Sequence, residues 1–169
     1  TNRGVTRKAV DAWGLRSQER AALAAREGHF EREILPVDVP VLDDNGARTT
    51  ETRRVAADQG IRESTAEGLA RLDPVMADGI HTAGNSSQIS DGAAGLLWMT
   101  AERAAARGLK PRARMVANVV VGTDPYYLLD GPVDATARLL ARSGMQLSDI
   151  DLFECNEAFA AVVLSWLGQ

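Results

Sequence analysis

From residue 90 onward, short apolar runs alternate with helix-forming segments, and this alternation limits the possible folds more than any other feature. Three segments have a composition typical of strands, namely 96–99, 113–121 and 149–154. Between them, Thr100 is placed to cap a helix over 101–107, and Pro132 to begin one that runs to Ser143. Strands alternating with helices form βαβ units with a largely parallel sheet. We therefore predict an α/β fold, with 96–99 as a buried strand.

The first part of the chain has a different pattern, a long helix followed by a hairpin. Thr6 is placed to cap the helix and Gly28 to end it. Residues 33–41 contain two prolines and are predicted to be extended. The turn sequence at 43–46, Asp-Asp-Asn-Gly, is typical of a link between hairpin strands. Residues 47–62 are polar and receive no assignment.

A segment rich in small and polar residues follows. Ser64 and Glu67 are spaced as a capping box for a short helix that ends near Leu72. Small residues then dominate 82–95, so the backbone there can approach another group closely. Two interpretations stay open, a structural turn or a close approach to a long ligand. A phosphate-binding P-loop is excluded because no Gly-Lys-Ser or Gly-Lys-Thr follows.

Composition and charge exclude several classes of function. The net charge of -4 gives no general attraction to nucleic acid. No apolar run approaches the roughly 18 residues of a membrane span. Cys155 is the single cysteine, which rules out an intrachain disulfide, and it lacks metal-ligand spacing with His29 and His81. We expect no metal, a reducing compartment and, because the polar start lacks a signal peptide, a cytoplasmic protein. The non-Met start and the apolar end at 165–169 suggest an internal part of a longer chain.

The sequence Asn-Glu-Ala-Phe-Ala at 156–160 stands where a predicted strand ends and an apolar helix, 157–167, is predicted to begin. Ligand sites in open α/β sheets favour this position. Asn156 can hold a water or a developing oxyanion, but asparagine is also a common helix cap. Glu157 in a first helical turn interacts favourably with the helix dipole. Residue chemistry alone favours the cap, and an inert buried thiol for Cys155.

Asn-Glu-Ala-Phe-Ala also resembles a signature of the thiolase family, and further stretches agree in order. Residues 82–87 with 90–94 are similar to the thiolase segment Thr-Ala-Gly-Asn-Ala-Ser…Asn-Asp-Gly-Ala-Ala. Leu-Arg-Ser-Gln at 15–18 resembles the same family's Leu-Arg-Ser-Gln/His helix, and 72–76 its Leu-Arg-Pro-Ala-Phe. The Asp-Pro and Gly-Pro pairs at 124–125 and 131–132 also match. Together these strings cover nearly the whole chain and are highly specific.

The resemblance implies a layered α-β-α-β-α fold built from two similar halves, of which this chain would form a part. Residues 1–87 would be part of a loop domain inserted in the first half. Residues 88–111 would be the last strand and helix of that half, and 112–169 the start of the second half. The family forms dimers and tetramers, so we expect a homodimer or homotetramer of the complete protein.

The resemblance also implies a reaction, acyl transfer between acyl-CoA and acetyl-CoA by thiolysis of a 3-ketoacyl-CoA or the reverse Claisen condensation. Coenzyme A thioesters are then substrates and no cofactor is expected. A nucleophilic Cys, an activating His and a second Cys would lie outside this chain. Asn156 would hold the water that stabilises the thioester oxyanion. Cys155 matches neither catalytic cysteine.

Further positions match the family's pantetheine channel: Val75, Met76, Ala83, Ser87, Leu128, Ala158 and Phe159. Ser87 matches best, as a polar contact, and we predict that Ala83, Ser87, Ala158 and Phe159 converge on one cleft. Met76 replaces a usual Phe and Gln88 a usual Gly, so the resemblance does not determine the shape of the acyl pocket. Gly-Asn-Ser-Ser-Gln at 84–88 is more similar to acyl-CoA and steroid-degrading thiolases than to acetoacetyl-specific ones.

Three alternatives compete with this interpretation. A β-ketoacyl synthase shares the fold but has a His where Asn156 stands. A thiolase-like lipid carrier would have a His-Asp-Cys-Phe string, which this chain lacks, although a truncated or non-catalytic acyl-CoA-binding protein stays open. An α/β structural domain without a ligand would not respond to coenzyme A.

Overall fold

The computed structural model describes residues 3–169, apart from the side chain of Leu128. It divides into two compact units. The N-terminal unit is Thr6–Gln88, and the C-terminal unit is Ile89–Gln169 together with the short segment that ends at Val5. No helix among the described residues is long and apolar enough to cross a membrane.

The N-terminal unit is organised around one long helix, α1, Arg7–Arg26. The Thr6 hydroxyl accepts a hydrogen bond from the backbone N–H of Ala9 at 3.2 Å, which confirms the predicted cap. Gly28 has a φ of 74° just beyond the helix, so the predicted stop is also confirmed. Val10, on the first turns of α1, is fully buried and forms the core of this unit with Leu69.

The predicted hairpin is present. Strands β1, Val37–Leu42, and β2, Arg48–Val55, pair antiparallel, with Val37 opposite Val55 and a bulge between Pro40 and Leu42. The Asp43 carboxylate holds the turn by accepting from the backbone N–H of Asn45 at 2.9 Å and of Ala47 at 2.8 Å. Strand β2 is almost entirely exposed, so its sequence lacks the alternation of polar and apolar residues that predicts strands.

A short helix, α2, Ala66–Ala70, follows and packs against α1. Its cap is Thr65, whose hydroxyl accepts from the backbone N–H of Gly68 at 3.0 Å. The predicted capping box of Ser64 and Glu67 is therefore wrong by one position. Ser and Thr are both good N-cap residues, so the presence of two such neighbours does not by itself fix where the helix starts.

The C-terminal unit is helical. It contains α3, α4, α5 and two short 3-10 turns, at Ala101–Ala106, Gly131–Ser143, Ala160–Leu167, Leu128–Asp130 and Leu147–Asp149. Thr100 caps α3 through the backbone N–H of Arg103 at 3.3 Å, as predicted. Pro132 lies in the first turn of α4 and Gly144, with a φ of 72°, ends it. These local predictions are confirmed.

The predicted strands of this unit are wrong. Segments 96–99, 113–121 and 149–154 form no ladder with any other described residues, where β1 and β2 make the only sheet. Leu96 and Leu97 are each 81 % exposed rather than buried, and Asp149 closes a 3-10 turn. Strand geometry needs a neighbour to satisfy its backbone N–H and C=O groups, and none of the described residues supplies one.

Helix α5 is held against the start of α4. The Ser165 hydroxyl donates to the Asp130 carboxylate at 2.8 Å, and the Trp166 indole N–H donates to the Thr136 hydroxyl at 2.9 Å. The Trp166 ring also meets the ring of Phe153 edge-on, with centroids 5.5 Å apart. These contacts fix the position of α5 and of the segment from Phe153 to Ala160 that leads into it.

Candidate functional site

The segment before α5 carries Asn156, and the structure corrects its predicted local role. Helix α5 begins at Ala160, and its N-cap position is Phe159, with extended backbone angles of φ -143° and ψ 145°. The helix was predicted to begin at Glu157 with Asn156 as its cap. That cap is wrong, because Asn156 lies three residues ahead of the true N-cap position.

The Asn156 side chain is exposed, and within the described part of the chain no hydrogen bond holds it. A primary amide offers two N–H donors and a carbonyl acceptor. Capping does not explain the residue, and its exposed amide is open to solvent or to a polar group outside the helix. A water or an oxygen that gains negative charge is a group of that kind.

Cys155 precedes Asn156 and is half-buried. Burial raises the pKa of its thiol, and the negative charges of Glu154 and Glu157 raise that pKa further. A thiol with a raised pKa is a poor nucleophile at neutral pH, because the thiolate is the reactive form. The interpretation of Cys155 as an inert thiol agrees with this environment.

The second candidate region is a tight turn at 82–86. Thr82 is 0 % exposed and Asn85 is 4 % exposed. The Asn85 side-chain oxygen accepts from the backbone N–H of Thr82 at 3.0 Å, and its amide group donates to the backbone oxygen of Ile80 at 3.0 Å. The Ser86 hydroxyl donates to the backbone oxygen of Thr82 at 2.7 Å. The structural-turn interpretation therefore holds for this stretch.

A buried polar network, missed from the sequence, fastens this turn to α1. The Asn85 amide also donates to the Asp11 carboxylate at 2.8 Å. The other oxygen of Asp11 accepts from the Arg7 guanidinium at 2.7 Å. Arg7 also donates to the backbone oxygens of Leu69 and Leu72, at 2.8 and 2.9 Å. One network thus joins α1, the end of α2 and the turn.

Two glycines let the backbones meet at this point. A Cβ at Gly14 of α1 would lie 2.7 Å from the backbone oxygen of Gly84. A Cβ at Gly84 would lie 2.3 Å from Leu69 Cδ2 and 2.8 Å from Leu72 Cδ1. Close approach between α1 and the turn, and between the turn and Leu69 and Leu72, therefore accounts for glycine at positions 14 and 84.

The remaining candidates are distributed over both units. Ala83, within the turn, and Ser87, directly after it, are exposed, as are Val75 and Met76. All four belong to the N-terminal unit, whereas Ala158 and Phe159 belong to the C-terminal unit and are half-buried. The side chain of Leu128 lies outside the described part. Convergence of these residues on one cleft stays a prediction.

The C-terminal unit has a separate apolar cleft of about 400 Å³ between α4 and α5. It is lined by Val133, Thr136, Ala137, Leu140, Leu147, Phe153, Trp166, Leu167 and Gln169, none of which is a predicted site residue. Across the described residues, no three His, Cys, Asp or Glu side chains are grouped so that they could hold a metal ion.

Relatives of known name match along nearly the whole chain. It is 46 % identical to a 3-ketoacyl-CoA thiolase of Cronobacter sakazakii over 95 % of this chain and 41 % of that protein. It is 45 % identical to the peroxisomal 3-ketoacyl-CoA thiolase B of Rattus norvegicus, over 95 % of this chain and 38 % of the relative. It is 40 % identical to the steroid 3-ketoacyl-CoA thiolase FadA6 of Mycobacterium tuberculosis, over 98 % of this chain and 38 % of that protein. The chain spans about two fifths of the length of these relatives.

Solved structures agree. The acetyl-CoA acetyltransferase of Bacillus anthracis superposes with a TM-score of 0.87 at 37 % identity, over 96 % of this chain and 40 % of that one. The acetyl-CoA acetyltransferase of Syntrophomonas wolfei superposes with a TM-score of 0.83 at 31 % identity, over 97 % of this chain and 40 % of that one. The predicted fold class, a part of the thiolase fold, is thereby confirmed although the parallel sheet is not formed within the described residues.

Family sequence profiles give the same result. The thiolase N-terminal domain matches residues 1–102, and the thiolase C-terminal domain matches residues 109–169. With both domain profiles matched in order, this chain belongs to the thiolase family.

Proposed function

We propose that the chain is part of an acyl-CoA:acetyl-CoA C-acyltransferase that cleaves 3-ketoacyl-CoA with coenzyme A or runs the reverse condensation. Several of its relatives are named 3-ketoacyl-CoA thiolases, among them a steroid form and peroxisomal forms. We place the activity in lipid or steroid side-chain degradation. Because the chain spans about two fifths of those relatives, the activity is that of a complete protein to which the chain contributes.

The observation that carries this proposal is the position of Asn156. Its exposed amide stands three residues ahead of the α5 cap position, on a segment fixed by the Phe153–Trp166 ring contact. In the proposed reaction the amide holds a water, and this water donates a hydrogen bond to the thioester oxygen. That oxygen gains negative charge in the transition state, where a pre-placed donor is most effective.

The nucleophile of the proposed reaction is not Cys155. Acyl transfer through a thioester intermediate needs an activated thiolate, and the raised pKa of Cys155 disfavours that form. As the family resemblance implies, we assign the nucleophilic Cys, its activating His and the second Cys to parts of the complete protein beyond these residues. Cys155 then only fills space beside Asn156.

Binding of the substrate is assigned to both units. The proposed pantetheine contacts are Val75, Met76, Ala83, Ser87, Leu128, Ala158 and Phe159, with Ser87 as the polar member. Coenzyme A enters as substrate, so no separate cofactor is part of the proposal. We further propose a homodimer or homotetramer in the cytoplasm, with 1–87 in a loop domain, 88–111 ending the first half and 112–169 starting the second.

The test is Asn156→Ala in the complete protein, assayed by thiolysis of acetoacetyl-CoA and of a longer 3-ketoacyl-CoA. Loss of a direct oxyanion donor typically lowers kcat by on the order of 10²-fold or more. Because the donation here passes through water, we expect a loss of up to that size with little change in KM. Asn45→Ala, at the exposed hairpin turn, is the matched control and should leave kcat unchanged. Unchanged turnover in Asn156→Ala would contradict the role.

A non-catalytic acyl-CoA-binding protein is the second candidate, because this chain itself supplies no activated nucleophile: the pKa of its one thiol is raised. Isothermal titration with coenzyme A and an acyl-CoA separates the two candidates. Binding without any turnover by the complete protein would favour the second, and turnover would exclude it.

A further inference from the structure

We infer that Asp11 and Asn85 are positioning residues, which hold Ser87 in the geometry needed to contact the pantetheine of coenzyme A. The inference rests on the proposed function, because Ser87 binds pantetheine only in a thiolase. Asp11 lies on α1 and Asn85 lies in the turn that precedes Ser87. Both are buried, and we assign to both an indirect effect on substrate affinity.

Asn85 is the centre of the arrangement. Its side-chain oxygen accepts a hydrogen bond from the backbone N–H of Thr82, and its amide group donates to the backbone oxygen of Ile80 and to the Asp11 carboxylate. These three distances are 2.8 to 3.0 Å. At 4 % exposure no water replaces these partners easily. The turn therefore has one favoured conformation, and Asn85 sets it.

Asp11 connects that conformation to the rest of the N-terminal unit. It is 8 % exposed, and its two oxygens accept from Asn85 and from Arg7. A buried carboxylate is tolerated only with such partners. Arg7 extends the connection to the backbone oxygens of Leu69 and Leu72. The turn is thus fixed relative to α1 and α2 rather than only within itself.

Ser87 lies between two fixed points. On one side is the turn, closed by the hydrogen bond from Ser86 to Thr82 at 2.7 Å. On the other, the Gln88 amide donates to the backbone oxygen of Gly60 at 2.6 Å. The Ser87 hydroxyl itself is exposed and donates only to the adjacent backbone oxygen of Gln88, at 3.2 Å. A hydroxyl held this way is available to a ligand without the cost of ordering its loop.

The test uses isosteric variants in the complete protein. Asn85→Asp places a second carboxylate 2.8 Å from Asp11 and removes both amide donors. In Asp11→Asn, the single side-chain oxygen can accept a hydrogen bond from Arg7 or from Asn85, but not from both. Losing a hydrogen bond to a charged group is expected to lower the population of the ordered turn, and with it the apparent affinity of a ligand that needs that order, by up to about tenfold. We expect Asn85→Asp to raise KM for the thioester by about that factor at nearly constant kcat, since pantetheine contacts act equally in the ground and transition states. Asp11→Asn should have a smaller effect of the same sign.

Two further measurements distinguish positioning from a purely structural role. In a double-mutant cycle, Asn85→Asp should raise KM much less when Ser87 is already Ala, because the two residues act through the same contact. The variant Asp11→Asn/Asn85→Asp restores one donor–acceptor pair and should recover part of the affinity. Thr100→Ala, which removes the cap of α3 in the other unit, should lower Tm without changing KM.

The outcomes separate the inference from the function beneath it. If Ser87→Ala leaves KM unchanged, the Ser87 contact of the proposed function fails, and the inference with it. If Ser87→Ala raises KM but both isosteric variants lower only Tm or the yield of folded protein, the inference alone is overturned. If Asn85→Asp fails to fold, Asp11→Asn and the swapped pair decide the question by the same criterion.

Discussion

Gly14→Ala is a sharp test of how α1 meets the turn at 82–86. In an exposed helix interior this change would stabilise the helix by about 1 kcal/mol. Here the added Cβ would lie 2.7 Å from the backbone oxygen of Gly84 and 3.4 Å from Asn85 Cα. That oxygen belongs to a turn pinned by the Asn85 side chain, so it cannot move without straining buried hydrogen bonds. Overpacking of this kind costs about 1–3 kcal/mol, so we expect a net loss of about 1 kcal/mol.

The assay is thermal and urea unfolding followed by far-UV circular dichroism and by tryptophan fluorescence, to which Trp13 beside the substitution contributes. A loss of 1 kcal/mol lowers Tm by roughly 4–8 °C in a unit of this size. Gly168→Ala is the matched control, because its φ of -87° suits an L residue and its added Cβ at the end of α5 would meet only the backbone oxygens of Leu164 and Ser165, at an ordinary 3.4 and 3.6 Å. It should be neutral or stabilising. A Gly14→Ala protein at least as stable as wild type would refute the close approach of α1 to the turn.

Three further predictions concern the C-terminal unit and the isolated chain. Because the pKa of Cys155 is raised, iodoacetamide should alkylate it at pH 8 more slowly than a free cysteine peptide, with the rate rising as pH increases; equal rates would contradict the buried, anionic surroundings. Although desolvation opposes it, hydrogen bonds from Arg3 and Ser165 and the charge of Arg3 lower the pKa of Asp130. A lowered pKa in the folded state contributes stability that is lost in acid. Asp130→Asn should therefore flatten the fall in Tm below about pH 3.9. If the dependence of Tm on acid pH is the same in Asp130→Asn and wild type, the stabilising role of the Asp130 carboxylate is contradicted. Finally, the 169-residue chain alone should show no turnover of acetoacetyl-CoA with coenzyme A, and activity that disappears in Cys155→Ser would overturn the assignment of that thiol.

Local stereochemistry made part of the fold predictable. Thr6 and Thr100 cap helices, and Gly28 and Gly144 end them with positive φ, because each effect involves only residues within one turn. The hairpin turn was predictable for the same reason. Where two neighbours compete, as Ser64 and Thr65 do, local chemistry gives no preference and the prediction was wrong by one residue.

Effects that depend on distant partners could not be predicted in this way. The composition of 96–99 and 113–121 favours an extended backbone, but a strand forms only where another strand pairs with its backbone N–H and C=O groups. The start of α5 was placed too early because Asn156 and Glu157 suit a helix start. The extended backbone of Phe159 delays the helix to Ala160.

The sequence proposes residues for the candidate site, which stay a prediction, but it does not show which groups hold them in place. Asn156 and Ser87 were identified because their motifs resemble those of a known family. The link between Asp11 and Asn85 spans 74 positions and gave no such signal. One sign was available: Asp11 and Gly14 share the face of α1 that carries buried Val10, and a carboxylate on an apolar face needs a buried partner.

The hairpin turn has a consequence for the chemical ageing of the protein. Asn-Gly pairs deamidate when the glycine nitrogen attacks the asparagine side chain to close a succinimide ring. Here the Gly46 N–H donates to the backbone oxygen of Asp43 at 2.9 Å, and the Asn45 N–H is held by the Asp43 carboxylate. The Gly46 N–H must leave its bond to Asp43 before its nitrogen can attack and the ring can close. Conversion of Asn45 to aspartate or isoaspartate during storage would therefore record how often the end of the hairpin opens.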